Sequence, residues 1–432
     1  MREPGAILLV ACYELGHQPL AVAWPAAFLE AQGYAPAVMD VAVEPFDAER
    51  AARARLCAIS VPMHTALRLG VKVAAQVRAV NPACHVVFYG LYASLNAEYL
   101  LAHGADSVIG GEVEPLLVEL CRRLEAGDER PLPARPHLAR LPFPVPSRGA
   151  LPSLEKYAHL ERDGRLELAG YVEASRGCKH HCRHCPIPPV YGGRFFVVPK
   201  EVVLADVRQL VEAGATHVTF GDPDFLNGPR HALAVARAVH AEFPALTFDV
   251  TAKVEHLLRE RRHLPELAAL GCLFVVSAVE SLSDTVLGHL DKGHTRADVI
   301  DALHAVRAAG IALRPTWVAF TPWATLDDYR QMLDFVEREG LVDHVDPVQF
   351  SVRLLVPPGS LLLDSPAMRP YLGELVEADF YYRWTHPDPR MEDLQEAVST
   401  VVAEGAERGE DAALTFGRIR RLADEAAGLP PV

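Results

Sequence analysis

The chain has 432 residues and a mass of 47.2 kDa, and half of its residues are hydrophobic. At about 100–200 residues per domain this predicts two domains with sizeable cores and excludes a largely disordered chain. A net charge of −14 gives no general attraction to a nucleic-acid backbone, so no nucleic-acid partner is expected.

The opening MREPGAILLVACYELGHQPL has no signal-peptide pattern. No stretch reaches the ~18 apolar residues that would span a bilayer. Eight cysteines are too few for a disulfide scaffold. The expectation is a soluble, cytoplasmic chain without a membrane partner, in which clustered cysteines are metal ligands or catalytic thiols.

Residues 1–127 alternate strand candidates (6–11, 35–41, 56–61, 85–89, 107–109) with helical patterns (20–32, 67–80, 95–103, 113–124), and Ser94 reads as an N-cap. This is the pattern of a doubly wound parallel sheet. Residues 128–169 read as an ordered but extended linker, since seven prolines between Pro131 and Pro152 suit neither helix nor central strand. A second βα series fills 170–360, with strands expected at 171–174, 217–220, 247–251, 273–278, 312–320 and 348–355. Six strands imply a partial (β/α)6 barrel, followed by a helical region at 361–432. The fold class is thus α/β throughout the first two domains.

The strongest local signal is SRGCKHHCRHCPIPP, which spaces Cys178, Cys182 and Cys185 as C-x3-C-x2-C after the first strand of the second series. Three thiolates on one loop can hold three irons of a [4Fe–4S] cluster and leave the fourth open, whereas most electron-transfer clusters take four cysteines. His180, His181 and His184 lie among them, so the spacing also admits a zinc site.

This loop resembles that of the radical S-adenosylmethionine (SAM) superfamily. The later strand ends support the resemblance: Gly221-Asp222-Pro223-Asp224-Phe225, then FVVSAVESLSDTVLGHLDKGHTRADVIDALHAVRAAGI, Arg314-Pro315-Thr316-Trp317 with FTPWATLDDY, and QFSVRLLVPPGS. It implies that Cys178, Cys182 and Cys185 hold the cluster, and that Gly221, Asp222, Thr251, Glu280, Ser281 and Arg314 contact SAM. Glu280 and Ser281 also suit a helix cap. Lys253 would meet a substrate carboxylate or lie solvated at the surface.

The first domain resembles the cobalamin (B12)-binding domain that precedes many radical SAM cores, in ISVPMHTALRLGVKVAAQVRAVNP, VVFYGLYAS and ADSVIGGEVEPLLVEL. His64, Gly90, Gly110 and Gly111 would line the cobalamin edge of the sheet. The family's D-x-H-x-x-G cobalt-ligand motif is absent after the first strand. His17 lies in that loop as an off-spacing alternative, and Cys12 reads as a buried thiol.

CYELGHQP, RGCKHHCRHCPIPPVYGG and FGDPDFLNGP resemble a bacterial group whose members often end in Cys/selenocysteine-Ala-Glu-Pro. The present sequence ends RRLADEAAGLPPV, so chemistry that depends on such a tail is not carried over.

The resemblance implies reductive cleavage of SAM to a 5′-deoxyadenosyl radical, with cobalamin-dependent methyl transfer to a small-molecule substrate and an electron donor such as flavodoxin or ferredoxin. The alternatives are a cobalamin-independent radical rearrangement or cyclisation, a tRNA methylthiotransferase, and a non-enzymatic zinc or cluster-sensing module. A methylthiotransferase would carry three further clustered cysteines, whereas Cys12, Cys57, Cys84, Cys121 and Cys272 are scattered. Substrate determinants are expected in the strand-end loops and in the last region, including 381–384.

Overall fold

The computed structural model describes residues 1–432 except 129, 131, 133, 134 and 430–432. Five short apolar strands form the first sheet: β1 (Ile7–Ala11), β2 (Ala37–Asp40), β3 (Leu56–Ser60), β4 (His85–Tyr89) and β5 (Ser107–Ile109). Every residue of β1, β3 and β4 is buried, because helices cover both faces. All pairings are parallel, in the order β2-β1-β3-β4-β5. The strand order reverses between β1 and β3, which marks the ligand crevice of such sheets at the carboxyl ends.

Two local expectations fail here. The helix expected at 95–103 is two short helices, Leu91–Leu95 and Ala97–Ala102, that meet at Asn96. Ser94 caps neither and instead packs against Gly110, where a Cβ would meet its Oγ at 2.5 Å.

The segment between the domains is ordered where described; Glu129, Pro131, Pro133 and Ala134 of the expected linker lie outside the described residues. His137 pairs with Gly111 beside β5. Arg148 is buried, with Nε 2.6 Å from Asp206 and Nη1 donating to Gln18 at 2.7 Å. The same stretch holds a hairpin that the reading did not separate, β6 (His159–Arg162) and β7 (Arg165–Val172), turned by Asp163-Gly164.

The second sheet runs β13-β12-β11-β10-β7-β6, with β10 (His217–Phe220), β11 (Thr247–Thr251), β12 (Cys272–Glu280) and β13 (Ala312–Trp317). Its strands are parallel except for edge strand β6, and the sheet curls as a half barrel with helices outside. The strand expected at 348–355 is not formed. Pro347–Ser351 is a 3-10 turn that starts on Pro347 and is capped by Asp346, and only Arg353 bridges to Phe320. A two-stranded ribbon, β8 (Ser175–Gly177) with β9 (Phe195–Val197), flanks the cysteine loop.

After the barrel comes a hairpin, β14 (Leu372–Val376) and β15 (Tyr381–Trp384), and then the helices Pro389–Arg408 and Ala412–Ala426. Arg353 anchors this region, with its guanidinium 3.6 Å over the Trp384 ring and 2.8 Å from Glu392. The final residues 430–432, where a terminal tail was considered, lie outside the described residues. No helix among the described residues is long and apolar enough to cross a membrane.

Candidate active site

The cysteine loop leaves β8 through Gly177, whose φ of +73° and contact with the Arg194 carbonyl exclude a side chain. Cys182 is buried, and Cys178 and Cys185 are half-buried. Burial raises the Cys178 thiol and pushes Cys185 up to about 12, so an electrophile is needed to hold them as thiolates. No disulfide joins them, and Asn227 donates toward the Cys178 sulfur at 3.6 Å.

Several contacts fix the loop from behind. The Arg183 amide donates to the Leu290 carbonyl at 2.9 Å. His184 Nε2 and Lys292 Nζ each lie 3.1 Å from Glu280 Oε1. Burial opposes charge on Glu280, but Lys292 and His184 more than offset it and hold this carboxyl far below its usual range. Glu280 adopts a left-handed φ of +66°, a strained conformation that its fixed partners maintain. The structure therefore places Glu280 as a clamp on the cysteine loop. Ser281 makes a local turn instead, its Oγ accepting from the Ser283 amide at 3.1 Å.

Asp222 is also engaged. It accepts from the Ala174 amide at 2.9 Å and from the Ser175 hydroxyl, and so ties β10 to the chain entering the loop. Desolvation outweighs these bonds and pushes Asp222 up to about 7.

Gly221, Asp222, Thr251 and Arg314 line one cavity of about 450 Å³ inside the half barrel, together with Thr219, Asp249 and Phe274. A side chain at Gly221 would run into the Tyr171 ring. Arg314 lies 5.2 Å over the Phe274 ring. His17 enters this cavity from the first domain, stacked on Tyr171 at 4.6 Å with its Nδ1 unpartnered. Lys253 is buried and 3.7 Å from Glu255, away from the surface position considered for it.

A second cavity of about 360 Å³ lies at the seam of the two domains. Ser60, Gly90, Gly111 and Glu114 line it from the first sheet's carboxyl edge, and Glu173, Ser175 and Arg176 line it from the barrel. Of the residues expected at this edge, Gly110 lies behind it under Ser94. His64 turns away to the Asp379 carbonyl, 2.7 Å from its Nε2. Tyr171, Gly221 and Pro223 line both cavities and form the wall between them.

The seam cavity was not legible in the sequence, although Glu14, Glu114 and Arg176 flank the motifs already noted. Burial and then the Glu173 charge push Glu14 up to about 8, against about 4.3 in an unfolded chain. Between these values the folded chain holds a proton that the unfolded chain has released, so stability falls as pH rises from about 4 through about 8. Glu14→Gln keeps one oxygen acceptor, for the Leu20 or the Ala21 amide, and does not titrate. It is expected to flatten the drop in urea midpoint between about pH 6 and pH 8; an unchanged drop would assign the titration elsewhere.

Against family models, residues 172–336 match the radical SAM superfamily and residues 6–121 match the B12 binding domain. The chain carries a radical SAM domain and a B12-binding domain.

Among curated relatives, the chain is 27% identical over 207 residues to the ribosomal protein uS12 methylthiotransferase RimO of Porphyromonas gingivalis, covering 42% of this chain and 45% of that one. It is 27% identical to the hopanoid C-3 methylase of Methylococcus capsulatus, covering 56% and 48%. The chain thus spans about half the length of these relatives. Among solved structures it resembles the cobalamin-dependent radical SAM enzyme OxsB with aqua-cobalamin bound (TM-score 0.71, 14% identity, 92% of this chain and 67% of that one). It also resembles the radical SAM methyltransferase TsrM from Kitasatospora setae with cobalamin and a [4Fe-4S] cluster bound (TM-score 0.67, 15% identity, 98% and 100%). These likenesses establish the fold.

The site residues fit the groups that the two domains imply. Three thiols on one clamped loop suit an iron–sulfur cluster with an open iron. At the seam, Glu114 Oε2 is buried without a hydrogen-bond partner, and Ser60 and Trp24 line the same cavity, which suits a ligand rimmed with amides, as cobalamin is. The remaining cysteines, Cys12, Cys57, Cys84, Cys121 and Cys272, are all buried, and burial pushes Cys12 up to about 12. They read as structural thiols rather than a second cluster site.

Proposed function

We propose that the chain is a cobalamin-dependent radical SAM enzyme that transfers a methyl group to an unactivated carbon or phosphorus of a small-molecule substrate. The observation that carries this reading is the wall of Tyr171, Gly221 and Pro223 shared by the barrel cavity and the seam cavity. A SAM-side ligand and a ligand on the first sheet's edge would be neighbours across it.

When bound, the cluster supplies the electron that cleaves SAM to a deoxyadenosyl radical, and cobalamin supplies a methyl carrier. Cys178, Cys182 and Cys185 hold the cluster. Glu280, through His184 and Lys292, fixes the loop that presents it. Gly221, Thr251 and Arg314 form the SAM-facing wall, and Asp222 keeps β10 registered on the entry to the loop. The half barrel excludes water and orients the substrate, while His17 and Tyr171 close the side toward the first domain. A low-potential electron donor of the flavodoxin or ferredoxin class, in a reducing cytoplasmic setting, completes the system.

With SAM and a low-potential reductant, protein carrying both cofactors is expected to release 5′-deoxyadenosine and S-adenosylhomocysteine. Protein carrying the cluster alone is expected to release only 5′-deoxyadenosine. Absence of S-adenosylhomocysteine with cobalamin bound would refute methyl transfer; absence of both products would refute the whole reading.

A further inference from the structure

Beside the cysteine loop, three side chains from three segments converge without the cysteines. His180 stands between Cys178 and Cys182, Asp224 in the turn after β10, and His256 in the short helix Val254–Arg259 after β11. One ligand atom from each lies within 4.8 Å of the others. Asp224 and His256 are almost wholly buried, with side chains 0% and 2% exposed.

His256 Nδ1 and Asp224 Oδ2 are in ion-pair contact at 2.6 Å, without the alignment of a hydrogen bond. His180 Nε2 lies 3.2 Å from His256 Nε2 and 3.9 Å from Asp224 Oδ2. A buried carboxylate and a buried imidazole, misaligned for a hydrogen bond, are incompletely compensated for their lost water, and a shared cation completes the compensation. Ligand bonds of about 2.0–2.2 Å to one ion bring donors to within roughly 4.2 Å of each other, which the 3.9 Å between His180 Nε2 and Asp224 Oδ2 satisfies, while the 2.6 Å pair of His256 and Asp224 has to open around the ion. Glu255 Oε2 stands 3.7 Å from His180 Nδ1, where it can orient that ring as carboxylates do behind metal-bound histidines. It also faces Lys253 Nζ at 3.7 Å, so the cation nearby is already balanced.

We propose that His180, Asp224 and His256 form a binding site for one divalent transition-metal ion of the zinc or ferrous class, separate from the three-cysteine loop. Two imidazoles and one carboxylate suit such ions and leave coordination positions open to solvent or substrate. The site's existence does not depend on the cluster or on cobalamin.

The test uses the full chain with Cys178, Cys182 and Cys185 all changed to Ala, freed of metal with a chelator and titrated with Co²⁺ alone. One equivalent is expected to bind, with visible ligand-field bands and no sulfur charge-transfer absorption, and adding His256→Gln is expected to abolish those bands. A folded triple variant that binds no Co²⁺, or whose bands survive His256→Gln, overturns the proposal. If the triple variant does not fold, zinc is measured in the cluster-loaded natural chain and in its His256→Gln form. One zinc per chain, lost in the variant, supports the site, and equal zinc in both overturns it.

Discussion

Cys182→Ala is expected to abolish cluster assembly and reduce 5′-deoxyadenosine formation to the level of a protein-free blank, while the chain stays folded. Cys182 is the buried member of the three, and its loop is held from outside by Glu280, His184 and the Arg183–Leu290 backbone bond rather than by the thiol. With only two thiolates left, the loop can hold two irons at most, and an open-iron cluster of the expected type cannot form. Iron content, visible absorption and product formation should fall together while circular dichroism stays the same. Retained deoxyadenosine in the variant would remove Cys182 from the ligand set and with it the assignment of the loop.

The second large effect is expected at Arg176, two residues before the first cysteine. Its Nη1 lies 2.6 Å from Glu114 and 3.2 Å from Glu112 of the first domain, and its Nε lies 3.0 Å from Glu173. The guanidinium also lies 5.3 Å and 5.0 Å over the Trp24 and Phe143 rings. Burial works against the charged arginine, and Glu114, Glu112 and Glu173 more than compensate. Burial raises the Glu112 carboxyl even with this cation present, so removing the cation leaves buried acids without a counter-charge. Arg176→Ala is expected to cost about 3–5 kcal/mol, the range for breaking a buried pair on one side only. Urea unfolding should show the loss, and proteolysis between the domains should speed up. Arg176→Lys should recover only part of it, because a lysine cannot reproduce the forked contacts. A change within about 0.5 kcal/mol for Arg176→Ala would show that the seam is solvated and not a lock.

The strands of the first sheet and the centre of the second were legible because β1, β3, β4, β10 and β11 are short apolar or β-branched runs closed by turn residues. The 348–355 run also looks β-branched, but Pro347 and the Asp346 cap set up a 3-10 turn that alternation alone does not reveal. The β6–β7 hairpin is polar and was passed over, although Asp163-Gly164 carries a recognisable hairpin turn with both residues at positive φ. Within the site, the cysteine loop is legible from spacing, because its three thiols are local in sequence. Glu280 stands out at its strand end, whereas its pairing with His184 and Lys292 depends on the loop folding back onto β12. Arg176 with Glu112 and Glu114, and His180 with His256, are contacts across 62 to 76 positions that exist only once the domains and the barrel have closed. No periodicity encodes them.

Iron and cobalt analysis of protein made with cobalamin supplied and purified without oxygen decides whether one chain carries both a three-cysteine iron–sulfur cluster and cobalamin. About four irons and one cobalt per chain are expected. Four irons without cobalt would contradict the cobalamin half of the proposed function, and zinc in place of iron on the cysteine loop would contradict all of it.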